Sequence, residues 1–459
     1  MRRLVHIETF GCQMNEYDTE LIRSLLKKDG YEFTEDREQA DVVLMNTCAI
    51  REHAHMRVYG HLAELRAVKK SRPLVVGVLG CMAQSLKSEL TDKEPLVDVL
   101  IGPDGYRQLP KLLGAALEAD EQGLREKGLA VDLSEYETYD DILPERKPGV
   151  NAWIAVMRGC DNFCTFCVVP YTRGRERSRN PQGILNETRL LVEQGHRQVT
   201  LLGQNVNSYR YEDWDFARLI TAVADLPGLE RVRFTSPHPK DFPAPLLDAI
   251  AHHPRICKHV HLPLQAGNDR VLDLMGRTYT QREFVELVET IRRTHPGIAL
   301  TTDIICGFPT ESDDEFLETY RLMEHIRFHA AFVFKYSERK NTIAARKYPD
   351  DVPDRIKGER VARLVELQKS ISLALNHKRI GDTVSVLVEG DSKRSSEQWM
   401  GRTDDNITVV WEKGACGAEV GTIQPGHLVN VLIESASVTT LFGRPVQHST
   451  LRSHKAGLD

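Results

Sequence analysis

Three apolar runs in the first 145 residues stop at a cysteine: Leu4-Val5-His6-Ile7-Glu8-Thr9-Phe10-Gly11-Cys12, Asp41-Val42-Val43-Leu44-Met45-Asn46-Thr47-Cys48 and Leu74-Val75-Val76-Gly77-Val78-Leu79-Gly80-Cys81. Each is β-type, while Glu16 to Lys28 and Arg51 to Lys69 have helical composition and length. The order strand, helix, strand, helix, strand makes an open parallel sheet the economical arrangement. All three cysteines then lie at carboxyl ends of strands, the edge where such sheets bind ligands. Residues 36 and 33 positions apart can converge there on one site.

From 119 to 150 the chain is charged and punctuated by Gly123, Gly128, Pro144, Pro148 and Gly149, which predicts a connection between domains. Strands and helices then alternate: Ala152 to Met157 and Gln182 to Gln194, Gln198 to Gly203 and Phe216 to Leu226, Arg231 to Thr235 and Ala244 to His252. The pattern runs on through His259 to Leu264 and Thr280 to Thr294, Ala299 to Cys306 and Asp313 to Ile326, and Ala331 to Tyr336. Six strands in this order predict a partial βα barrel rather than a closed eight-unit one. Thr383 to Glu389, Trp399 to Arg402, Ile407 to Trp411, Leu428 to Glu434 and Ser437 to Leu441 are short β runs between glycine turns. They predict a small barrel of oligonucleotide-binding type. The expected divisions are 1–145, 146–376 and 377–446, with a disordered tail at 447–459.

The 459 residues fit about two to four domains, and an apolar share of 41% supports sizeable cores. No run approaches the roughly 18 apolar residues of a membrane helix, and Glu8 interrupts the start before any signal-like stretch. A cytoplasmic location without membrane attachment is expected. Nine cysteines, an odd number in a long chain, do not form a secreted disulfide framework, and clustered thiols in a reducing compartment bind metal or react. The net charge of −6 predicts no general affinity for nucleic acid, so RNA contacts must come from local patches.

The densest chemistry is the run Gly159-Cys160-Asp161-Asn162-Phe163-Cys164-Thr165-Phe166-Cys167. Its three thiolates can hold three irons of a four-iron cluster and leave the fourth open to a small molecule. The loop follows the first strand of the barrel, at the carboxyl rim where barrels place active sites. Zinc is the rival occupant, although no nearby Cys or His downstream supplies its fourth ligand. The trio Cys12, Cys48 and Cys81 is a second metal constellation, with zinc or simple burial as alternatives. Cys257, Cys306 and Cys416 are isolated and are assigned to packing.

Arg173, Arg175, Arg177 and Arg179 alternate with other residues, which puts them on one side if the segment is extended. Guanidinium forks suit either tRNA phosphates or a cofactor carboxylate, and a solvated charged loop is the plain alternative.

The Cys-x3-Cys-x2-Cys loop with Phe166 before its last cysteine resembles the radical S-adenosylmethionine enzymes. Its continuation Val168-Val169-Pro170-Tyr171-Thr172-Arg173-Gly174-Arg175-Glu176-Arg177-Ser178-Arg179 resembles their methylthiotransferase branch. Gly11-Cys12-Gln13-Met14-Asn15, Asn46-Thr47-Cys48-Ala49-Ile50-Arg51-Glu52 and Gly80-Cys81-Met82-Ala83-Gln84 are similar to the tRNA-2-methylthio-N6-dimethylallyladenosine synthases, the MiaB type. The resemblance covers essentially the whole chain. It implies a flavodoxin-like N-terminal domain, a partial (βα)6 radical barrel and a C-terminal TRAM domain.

It also implies two [4Fe-4S] clusters, on Cys160, Cys164 and Cys167 and on Cys12, Cys48 and Cys81, with S-adenosyl-L-methionine on the open iron of the first. No side chain acts as catalytic acid or base. The implied substrate is tRNA bearing N6-isopentenyladenosine, and the implied partners are an electron donor protein and a sulfur source for a monomeric enzyme. Gly203, Gln204 and Asn205 after the second strand, Gln265 after the fourth, and Gly307 and Glu311 after the fifth are the implied cofactor contacts. Gly307 is expected to permit close backbone approach. The TRAM segment from Lys378 to Val446 has seven Lys and Arg against nine Asp and Glu, so RNA binding there rests on a patch such as Lys393, Arg394 and Arg402. A structural lid is the alternative. Rival substrates are a threonylcarbamoyl-adenosine tRNA and a ribosomal-protein aspartate, and rival classes are an electron carrier or a zinc and RNA-binding protein.

Overall fold

The computed structural model describes residues 3–49, 52–124, 127–415 and 422–446. Cys416, Ile50, Arg51 and the tail from 447 lie outside the described residues.

The first domain is a six-stranded, all-parallel sheet in the order Glu32–Phe33, Leu4–Phe10, Val42–Thr47, Val75–Gly80, Val99–Ile101, Gly128–Ala130. The middle strands Val42–Thr47 and Val75–Gly80 are buried at every residue, as expected of strands covered on both faces. Register aligns the cysteines: Phe10 pairs with Thr47 and Thr47 with Gly80. Cys48 and Cys81 therefore leave the sheet at the same level, with Cys12 two residues beyond Phe10.

Six strands of the second domain form two parallel triplets. Asn151–Ala155, Gln198–Leu202 and Arg231–Phe234 make one, and His259–His261, Ala299–Cys306 and Ala330–Lys335 the other. A Val232–Ile256 bridge lies between them. Helices with Asn180, Asp215, Asn268, Thr280 and Ser312 as N-caps cover the outside, the last two through full capping boxes. This is the partial barrel that the alternation predicts.

The open side of that barrel is only half free. Helix Gln13–Lys28 lies against the first barrel strand, and Trp153, Ala155 and Leu202 join the hydrophobic core of the first domain. Opposite them, one face of the second triplet carries His261, Asp303, Phe332 and Phe334. The two phenylalanines are 56% and 45% exposed.

The third domain is a closed barrel of the strands Thr383–Ser392, Ser395–Thr403, Thr408–Glu412, Thr440–Pro445 and Leu428–Ala436. Its loop at 403–406 docks against the amino ends of the barrel strands. Arg233 donates to the carbonyls of Thr403 (2.7 Å) and Asp404 (3.0 Å), and Arg231 to that of Ser385 (2.9 Å). The 24-residue helix Asp354–His377, which the strand-helix pattern does not predict, packs on the last barrel strand and leads into this domain.

The segment 119–150 is more ordered than a connection. Gly128–Ala130 forms the sixth strand, and Tyr139 is fully buried with its hydroxyl on the Pro103 carbonyl at 2.9 Å. Its charged residues made it read as a linker. Several of them are ion-paired across the domain boundary, as with Arg146 to Glu20 and Asp140 to Arg179.

Candidate functional site

Two glycines fix the N-terminal cysteines. Gly11 has φ +144° and a Cβ there would lie 2.6 Å from that of Cys48; Gly80 has φ +86° and a Cβ there would meet Asn46 Oδ1 at 2.4 Å. Asn46 Nδ2 donates to the Asn15 carbonyl at 2.9 Å and Thr47 Oγ1 to the Leu79 carbonyl at 2.8 Å, so the polar residues beside the cysteines tie neighbouring strand ends together. Cys12 is the N-cap of the helix Gln13–Lys28. Its contact with Cys48 lowers its pKa to about 6 against the cost of burial, helped by the Arg173 charge and two backbone N–H groups. Burial pushes Cys81 up, offset in part by Arg173.

The second trio sits on a loop braced at both ends. Gly159 N donates to Gln204 Oε1 at 2.7 Å, and Thr165 N to the Met275 carbonyl at 2.8 Å. A Cβ on Gly159 (φ +80°) would lie 1.9 Å from the Arg175 carbonyl oxygen, so only glycine fits before Cys160. Val169 N donates to Cys167 Sγ at 3.5 Å and Arg277 Nη1 to Cys164 Sγ at 3.3 Å. Burial pushes the Cys160 thiol up to about 11 and the Cys167 thiol to about 12, so metal binding there releases protons.

The two cysteine loops meet at Val168, which packs with Cys81 and Ala49 in one small apolar cluster. Val168 follows Cys167, and Ala49 follows Cys48. No described cysteine is in a disulfide. Among the described residues no three His, Cys, Asp or Glu side chains close around a point as they would around one ion. A four-iron cube spaces its thiolates more widely than an ion does. The donor set suits such a cluster: thiols in no disulfide, N–H groups aimed at sulfur, and a buried Arg173 Nη1 with no hydrogen-bond partner near Cys12 and Cys81.

Comparison with known proteins agrees along the whole chain. The Uncharacterized protein family UPF0004 matches residues 4–102, the Radical SAM superfamily residues 154–323 and the TRAM domain residues 377–446. A tRNA-2-methylthio-N(6)-dimethylallyladenosine synthase from Porphyromonas gingivalis is 47% identical over 98% of this chain and 96% of its own. One from Chloroherpeton thalassium is 47% identical over 96% and 95%. The chain belongs to the tRNA-2-methylthio-N(6)-dimethylallyladenosine synthase family. In fold it is similar to a radical S-adenosylmethionine methyltransferase, TsrM, from Kitasatospora setae, with TM-score 0.56 and 14% identity over 75% of this chain and 74% of that one. It is also similar to the cobalamin-dependent S-adenosylmethionine radical enzyme OxsB, with TM-score 0.51 and 13% identity over 80% and 56%.

Within this synthase-family chain, three of the four arginines expected to meet RNA are buried between domains. Arg173 and Arg158 pair with Asp18, each at 2.7 Å; Arg177 pairs with Asp104 at 2.8 Å; Arg179 pairs with Asp140 at 2.6 Å and Glu187 at 2.8 Å. Alternation does not put them on a free side, because the strand there is only Arg177–Ser178 and the chain folds into the seam. Arg175 alone is exposed, stacked over Phe163 and paired with Asp161.

The expected cofactor contacts also divide. Gln204 is taken by the Gly159 amide, and a Cβ on Gly203 would meet Met157 Cγ at 2.6 Å. Gly307 permits a close approach, but by Lys357 of the helix Asp354–His377, whose Cγ would lie 2.3 Å from a Cβ there. Glu311 is buried and accepts from Gly307 N and Arg360, so it braces the loop. Asn205 and Gln265 remain, each with a buried side-chain oxygen that has no partner. Lys393 and Arg394 are exposed at a hairpin tip, while Arg402 pairs with Glu389 at 3.4 Å. The sequence reading missed Asp18, Asn15, Arg158 and Arg277, which touch thiols or their partners. Asn15 was visible in the Gly11-Cys12-Gln13-Met14-Asn15 phrase, whereas Arg277 lies 110 residues from the loop it serves.

Proposed function

We propose that this protein transfers a methylthio group to carbon 2 of N6-isopentenyladenosine beside the anticodon of tRNA, in the cytoplasm. Its own residues would do three things. Cys160, Cys164 and Cys167 would hold one [4Fe-4S] cluster, and Cys12, Cys48 and Cys81 another. When bound, the first cluster with S-adenosyl-L-methionine supplies a carbon radical strong enough to take hydrogen from an adenine carbon, and the second supplies the sulfur. Asn205 and Gln265 would offer their free oxygens to the methionine ammonium. The meeting of both cysteine loops at Val168 carries the reading, because a sulfur-donating centre must stand beside the radical-generating one.

The uncovered half of the barrel would receive the base. Phe332 and Phe334 give it aromatic and apolar surface, flanked by His261, whose Nε2 is 3.1 Å from Asp303 Oδ2. Gln265 stands at that rim, its N–H on the Asp303 carbonyl and its carbonyl on the Ile305 N–H, each at 2.9 Å. Lys393 and Arg394 would meet phosphates, with Arg175 nearer the loop; a separate electron donor and sulfur source would serve turnover of a monomer.

Anaerobic reconstitution should yield about eight iron and eight sulfide per chain with reductive cleavage of S-adenosylmethionine. Zinc without iron would overturn the reading. Mass analysis of tRNA from a deletion strain should show loss of methylthio from isopentenyladenosine alone. Loss confined to threonylcarbamoyladenosine, or unchanged tRNA with an altered ribosomal protein, would transfer the assignment to a rival substrate.

A further inference from the structure

In the seam between the first two domains two guanidiniums meet at a single carboxylate. Asp18 is 0% exposed, Arg158 1% and Arg173 3%, and the two guanidiniums share the one carboxylate. Tyr106, also fully buried, adds only a neutral hydroxyl to Asp18 at 3.3 Å. Around Asp18 two cations meet one anion in a buried place, so a further anion beside Arg173 is favourable there. Arg173 Nη2 is spent on Asn15 Oδ1 (3.2 Å) and Asp18 Oδ2 (2.7 Å), while Nη1 has no hydrogen-bond partner. The groups on which this guanidinium bears besides Asp18 are Cys81, Tyr106 and Cys12. It reaches them from the barrel domain, at the end of the short helix Val169–Thr172 that follows Cys167.

We infer that Arg173 is a positioning residue of the N-terminal cluster, its unpartnered Nη1 donating to a sulfur held by Cys12, Cys48 and Cys81 and its charge balancing that anionic centre. This rests on the proposal that the trio holds a [4Fe-4S] cluster. Positive charge and N–H groups at the sulfurs favour the reduced form, so Arg173 raises the potential of this cluster. Because Arg173 and the Cys160 loop are on one stretch of chain, the same guanidinium sets the two trios relative to each other.

The test uses full-length protein with Cys160, Cys164 and Cys167 replaced by alanine and the remaining trio reconstituted. Iron analysis comes first: about four iron per chain supports the trio as cluster ligands, and none would overturn that reading and this inference together. With iron in place, protein carrying 15N-arginine should show a weakly coupled 15N in pulsed EPR of the reduced cluster. Arg173→Lys should remove that coupling while holding the potential close to the parent value. Arg173→Gln should shift the potential to more negative values at unchanged iron content. No 15N coupling in the protein with Arg173 intact, a measurement independent of any folding defect, would overturn the inference. So would an unchanged potential in an iron-replete Arg173→Gln protein.

Discussion

Arg173 Nη2 donates to Asp18 Oδ2 at 2.7 Å across 155 residues of sequence. This bond and its twin from Arg158 join the parallel-sheet domain to the barrel, at the place where the two cysteine loops meet. Removing the carboxylate leaves two buried cations unpaired. Asp18→Asn should therefore destabilise the protein by about 3–5 kcal/mol in thermal or denaturant unfolding. A variant that melts like the parent would show that the seam carries no such energy.

Acid should act through the same group. Burial alone would raise the Asp18 pKa, but Arg158 and Arg173 hold it below its ordinary value of 3.8. A depressed folded value means that this stabilisation is complete above the ordinary unfolded value of 3.8 and is lost as pH falls from there through the folded value. Melting temperature should drop below about pH 4 in the parent, and Asp18→Asn should flatten that part of the profile.

The two trios should separate in function. Cys164→Ala should abolish reductive cleavage of S-adenosylmethionine. Cys48→Ala should keep cleavage and lose methylthiolation, as read by 5′-deoxyadenosine release and tRNA mass analysis. Loss of both activities in each variant would contradict the division of labour.

Arg277 donates to Cys164 Sγ at 3.3 Å from a buried position. Partners of metal ligands typically contribute about 10–100-fold in metal affinity, so Arg277→Gln should lose iron to a chelator faster by a factor in that range. The N-terminal trio, assayed in the same chain by its EPR signal, should be unaffected.

Phe334 and Phe332 should matter for the base and not for the cofactor. Losing one stacking surface costs about 1–3 kcal/mol per base, so Phe334→Ala should raise KM for prenylated tRNA about 5- to 150-fold. Uncoupled S-adenosylmethionine cleavage should stay near the parent rate. Equal losses in both assays would mean that Phe334 supports the fold instead.

Local pattern settled most of the architecture. A β run that ends on cysteine, followed by a helical stretch, needs only near-neighbour sterics and periodicity to be read, and the six barrel strands and both cysteine trios were legible for that reason. The first barrel strand is Asn151–Ala155 and stops short of Met157, because Met157–Arg158 pairs instead with Arg177–Ser178, a partner that local pattern does not encode. Helix Asp354–His377 escaped because its neighbours, the last barrel strand and the third domain, determine its role more than its own sequence does.

The partners of charges were decided by tertiary structure alone. Arg173, Arg177 and Arg179 look like a surface stripe in sequence, yet Asp18, Asp104 and Asp140 bury them from positions 39 to 155 residues away. Gly307 reads as room for a ligand and is room for Lys357. A residue's type and spacing specify what it can bond to, and only the packed fold specifies which of those bonds is close enough and dry enough to form. The sequence by itself determined the kind of chemistry here, through six thiols in two frames. The fold decided that Cys81 and Ala49 pack against Val168 beside Cys167, because strand register and a buried ion pair bring chain segments together that spacing along the sequence cannot relate.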